Sequence, residues 1–132
     1  MTFDAQELFA NLAEKEKVKG HHSPEGRALR TLSRALSGWS GKNLSAHDVI
    51  VLSDQAVEDW LKARLKRSPW SVDAVPALLP DAADHDLVTG AEVDRLREIH
   101  DLRARFGEEP EIAAEKIEAA LEFCIHLIEK RW

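Results

Sequence analysis

Apolar residues recur along this chain at spacings of three and four, bracketed by helix-start residues, and nowhere alternate with polar residues in the two-residue period of a strand. That pattern most constrains the fold, because side chains three and four apart share one face of an α-helix while a strand turns successive side chains to opposite faces. The chain therefore reads as all-α, a single up-and-down helical bundle of about five helices occupying residues 1–132 as one domain. With 132 residues, 44% of them hydrophobic and 32% charged, it is long enough for one core and short for two.

Asp4 followed by Glu7 opens a first helix that carries Leu8, Phe9 and Leu12 inward and ends near Gly20. Ser23-Pro24-Glu25 places a cap, a proline at the first helical position and an acid suited to the helix dipole; this second helix buries Leu29, Leu32 and Leu36 and stops at Gly38. Ser45 and Asp48 cap a long third helix, 45–67, with Val49, Leu52, Ala56, Trp60, Leu61 and Leu65 facing the core. Residues 68–89 hold Pro69, Pro76 and Pro80 and read as an irregular packed connection in which Val75, Leu78 and Leu79 could make one short helix. Thr89 and Glu92 form a capping box for a helix over 90–106, with Val93, Leu96, Ile99, Leu102 and Phe106 inward and Gly107 as its stop. The last helix, 110–131, opens at Pro110, and its stripe of Ala113, Ile117, Ala120, Leu121, Cys124 and Ile128 is widened by Phe123, Ile125 and Leu127. So broad an apolar face predicts a central position or a dimer contact.

A net charge of -6 argues against a protein that coats nucleic acid by bulk electrostatics, since phosphate neutralisation needs an excess of Lys and Arg. Acids in the first twenty residues interrupt any signal-peptide core and no window has the length of a membrane span, so the expectation is a cytoplasmic protein without a membrane partner. The one cysteine, Cys124, reads as a small buried apolar side chain. No cofactor motif and no metal-ligand spacing occur: His21 and His22 are adjacent and diverge, and there is no HExxH, CxxC or phosphate-binding glycine loop.

The segment from Arg95 to Arg105 carries the chemistry on offer. Arg97, Asp101 and Arg105 are each one turn apart, the spacing of a surface ion-pair ladder. Arg97, Arg103 and Arg105 are candidate anion-binding residues, and a guanidinium beside the His100 imidazole would combine charge stabilisation with proton transfer at a phosphate.

In the order of its parts the chain resembles the HEPN superfamily, small helical bundles of prokaryotic toxin–antitoxin, defence and RNA-processing systems. About two thirds of it carries the resemblance: Asp54-Gln-Ala-Val-Glu-Asp-Trp-Leu-Lys62, the proline-rich connection, Leu96-Arg-Glu-Ile-His-Asp-Leu-Arg103, and the helix from Ala113 to Trp132. The resemblance implies a homodimer and, in active members, a metal-independent ribonuclease site built from an Arg and a His four to six residues later. Arg95 and His100 have that spacing, yet five steps along a helix set two side chains about 140° apart, so they do not converge within one subunit. In a second register Arg103 takes the arginine's place, but Ala104 follows it and no histidine occurs before His126. The resemblance then implies a catalytically silent binding module with a protein or RNA partner. One alternative is an active ribonuclease toxin using Arg95 or Arg103 with His100 and paired with an antitoxin such as a small nucleotidyltransferase; another is a purely structural helical assembly subunit.

Overall fold

A computed structural model describes residues 5–19, 23–68, 70–105 and 114–130. These residues form six helices: α1 (Ala5–Lys19), α2 (Pro24–Ser40), α3 (Ala46–Arg64), α4 (Val75–Asp84), α5 (Gly90–Arg105) and α6 (Ala114–Lys130). The start signals act as their chemistry requires. Gly26 N–H donates to Ser23 Oγ at 2.9 Å and Asp48 N–H to Ser45 Oγ at 3.2 Å. At α5 the capping box is reciprocal, Thr89 N–H donating to Glu92 Oε1 at 2.8 Å and Glu92 N–H to Thr89 Oγ1 at 3.2 Å.

The extra helix is α4, inside the stretch read as irregular. Val75, Leu78, Leu79 and Ala82 fall at positions i, i+3, i+4 and i+7 and are all buried. Pro76 lies in the first turn, where its missing N–H costs nothing, and Pro80 sits within the helix on the exposed side. A fully buried apolar stripe outweighs one lost backbone hydrogen bond.

Helix ends depart from the sequence reading for a shared reason. α2 runs through Gly38 to Ser40, and α3 ends at Arg64, before 67. Both, like α4, close with a residue in the left-handed region: Lys42 (φ 58°), Lys66 (φ 56°) and Asp86 (φ 58°). The next N–H reaches back to a carbonyl five residues earlier, Asn43 to Gly38 at 2.8 Å, Arg67 to Lys62 at 2.8 Å and Leu87 to Ala82 at 2.9 Å, which satisfies carbonyls the helix leaves open. Gly38 has a packing role instead: a Cβ there would overlap the Leu44 side chain. The starts read at Asp4 and Pro110 and the stops read at Gly20 and Gly107 lie outside the described residues, as do Phe106, Ala113 and Trp132.

α3 is the hub, packed against α2, α4, α5 and α6. Val49, Ala56, Trp60 and Leu61 are buried in it, with Leu52 and Leu65 half-buried beside them. On α6, Ile117, Ala120, Leu121, Cys124, Ile125, Leu127 and Ile128 are all buried within one chain, against α1, α2 and α3. Its broad apolar face is thus accounted for by a central position. No helix among the described residues is long and apolar enough to cross a membrane.

Candidate functional site

Three side chains of opposite character meet where α5 crosses α3. Asp54 occupies a core position of α3, in register with Ile50, Val57 and Leu61, and is 2% exposed. An ionised carboxylate there needs donors, because burial without them is costly. Both donors come from α5, three residues apart and hence on one face: Arg103 Nη1 donates to Asp54 Oδ2 at 2.9 Å, and His100 Nδ1 lies 3.0 Å from the same oxygen. The imidazole and guanidinium keep contact with water, their side chains being 26% and 36% exposed.

Beside this cluster is an open groove of about 510 Å³, walled by His47, Val51, Gln55, Ala74, His100 and Arg103. Glu58 also borders it and receives Lys62 Nζ at 3.0 Å; the buried Lys62 donates in addition to the Ser71 carbonyl at 2.8 Å. Further along α3, partial burial pushes the Asp59 carboxyl above its ordinary range, opposed by the Gln55 amide, which donates to Oδ1 at 3.1 Å. Burial likewise pushes the Cys124 thiol up to about 12, with the Asp54 charge adding to the effect, so the one cysteine is a packed side chain and not a nucleophile.

Of the arginines singled out in the sequence, Arg103 alone joins His100. Arg95 points elsewhere, as the 140° separation requires: its Nη1 donates to Glu98 Oε2 at 3.0 Å, and its guanidinium lies 5.9 Å from the Phe123 ring centre. Arg97, Asp101 and Arg105 are exposed, and no ion pair links them, so the ladder is absent among the described residues. At an exposed position such a pair gains little over solvation of the separate charges. His126 is far along α6, 3.7 Å from Glu122 and 3.8 Å from Glu129.

The sequence reading missed Asp54 as a site residue although a signal was present, an acid at a position the α3 periodicity assigns to the core. Lys62, buried too, carried no such signal, since by the same periodicity it falls on the polar side of α3 beside Gln55 and Glu58. No group of three or more His, Cys, Asp or Glu side chains among the described residues is arranged to hold a metal ion. No family model, no curated protein and no solved structure matches the chain, which leaves the geometry around Asp54 as the ground for a functional reading.

Proposed function

We propose that the chain is a HEPN-like helical binding module without catalytic activity, acting through dimerisation and through a protein or RNA partner in a prokaryotic toxin–antitoxin, defence or RNA-related system. One observation carries the reading: Asp54 Oδ2 engages both Arg103 and His100. The carboxylate offsets the guanidinium charge and fixes both α5 side chains at the rim of an open groove, a rigid recognition surface for anionic or hydrogen-bonding groups. The test is a gel-shift series with a labelled single-stranded oligoribonucleotide, together with co-purification from the native host. Intact RNA, shifted by the wild type and less so by Arg103→Ala, supports the RNA form of the reading; a specific co-purifying protein lost on Arg103→Ala supports the protein form. RNA cleavage by the wild type that His100→Ala abolishes overturns it.

The ribonuclease reading has its own observation. Asp54 occupies Nδ1 of His100 and so leaves Nε2 as the nitrogen available to accept a proton, one helical turn from a guanidinium suited to a phosphate. In that reading Arg103 and His100 act and Arg95 does not. Wild type and His100→Ala expressed side by side in a bacterial host separate the two: equal growth with intact RNA supports the silent module, and growth arrest confined to the wild type supports the nuclease.

A further inference from the structure

Two large apolar side chains outside the site face water almost completely, Trp70 at 86% and Val72 at 99% exposure. They lie on the connection between α3 and α4, and the residues alternating with them are held down. Lys62 Nζ, from α3, donates to the Ser71 carbonyl at 2.8 Å. Arg67 Nη1 donates to Asp73 Oδ2 at 3.4 Å, and Arg67 also pairs with Asp81 on α4. Trp70 N–H donates to Ser68 Oγ at 3.2 Å and Ser71 N–H to the Ser68 carbonyl at 3.1 Å. With the Ser71 carbonyl held by the buried Lys62 and Asp73 tied to Arg67, the Trp70 and Val72 side chains stand exposed. Just before them Arg64 and Lys66 are exposed and form no ion pair among the described residues. The segment is an apolar pair set on basic ground.

A surface of the complementary kind lies on α6. Ala119 and the half-buried Phe123 line a groove of about 480 Å³ rimmed by Glu115, Glu118 and Glu122. On its other wall Arg95 is paired with Glu98, and Glu118 is oriented by the Trp39 indole, whose Nε1 donates to it at 3.0 Å. His126 also lines the groove, 3.7 Å from Glu122, and the three glutamates leave the excess charge of its rim negative around the half-buried Phe123.

We propose that these two surfaces meet in a second copy of this chain: the Trp70–Val72 segment of one copy seats in the α6 groove of another, with Arg64 and Lys66 facing Glu115 and Glu122. The contact joins two different surfaces of the chain, and exchanged reciprocally about a two-fold axis it closes a dimer. Trp70 is the anchor, a rigid aromatic with charge complementarity around it. The inference rests on the dimerising part of the function proposed above and on no other part.

Sedimentation velocity of the full chain over a concentration series tests it, with Trp70→Ala and the double variant Glu115→Lys/Glu122→Lys, each checked by circular dichroism for wild-type helicity. The wild type is expected to self-associate in the micromolar range, more weakly at high salt, and each variant alone to do so about 30-fold or more weakly, the loss typical of an interface anchor. Combining Glu115→Lys/Glu122→Lys with Arg64→Glu/Lys66→Glu in one chain restores self-association, because the swapped charges again face their opposites. A wild type that stays monomeric to about 100 μM, self-association unchanged in the variants, or a charge-swapped chain that fails to self-associate overturns the proposal. RNA or partner binding retained by both variants separates such a failure from failure of the Arg103 groove; RNA binding lost in both reassigns the segment to RNA and also overturns it.

Discussion

Removing Arg103 should cost this protein more than removing the carboxylate it serves. Asp54 is 2% exposed, so with Arg103→Ala its charge remains buried with His100 as its one remaining side-chain donor. Breaking a fully buried ion pair by deleting one member costs roughly 3–5 kcal/mol. The Arg103 side chain is 36% exposed, so water reaches the gap it leaves, and about 2–3 kcal/mol is the appropriate expectation. Asp54→Ala is the milder change. It strands two donors, but both already touch solvent, so the loss is confined to hydrogen bonds and a small void, about 1–2 kcal/mol. The double variant should be more stable than Arg103→Ala alone, since no buried charge is left. Urea unfolding followed by circular dichroism at pH 7 reads these differences. With a slope near 1.5–2 kcal/mol/M for a chain of this size, Arg103→Ala moves the midpoint down by about 1–2 M. An Asp54→Ala variant less stable than Arg103→Ala, or a double variant showing the sum of the two losses, would refute the assignment of Asp54 as a buried charge that depends on Arg103.

Cys124 should resist thiol reagents at pH 8 in the folded protein and react at once in denaturant, because burial both raises its thiol to about 12 and blocks access; rapid native-state labelling would contradict the packing of α6. Asp59 gives a pH signature. Its folded carboxyl is raised above the unfolded value, so its contribution favours folding at low pH and is lost as pH rises through the folded value. Asp59→Asn should accordingly be more stable than the wild type near pH 7, with the advantage closing as pH falls toward about 4; urea midpoints that diverge toward low pH instead would show the sign to be wrong.

Where sequence and structure agree, local chemistry decides the outcome. Ser23, Ser45 and Thr89 are caps in the sequence and caps in the structure because a hydroxyl satisfies free amides within its own first turn. The 3.6-residue stripes of α2, α3, α5 and α6 likewise needed no knowledge of neighbours. Helix ends were harder to read: Lys42, Lys66 and Asp86 take the left-handed conformation that sequence reasoning reserves for glycine, and the reach-back hydrogen bonds that stabilise it depend on how the following chain packs. α4 hid behind its prolines for a related reason, its helicity coming from four side chains buried by the rest of the bundle.

The candidate site divides along the same line. Its α5 half was legible, since the angular separation along a helix already parts Arg95 from His100 and puts His100 on the face of Arg103. What the sequence alone determined is this all-α character, the caps, the apolar faces and the angular order of side chains on each helix, all properties of one segment and its own backbone. Only the tertiary structure decided that the partner of His100 and Arg103 is Asp54, 46 and 49 residues away, and that Trp70 and Val72 are displayed while the apolar stripe of α6 from Ile117 to Ile128 is buried. Long-range pairing depends on which helices cross and at what register, and that is set by the packing of the whole core at once.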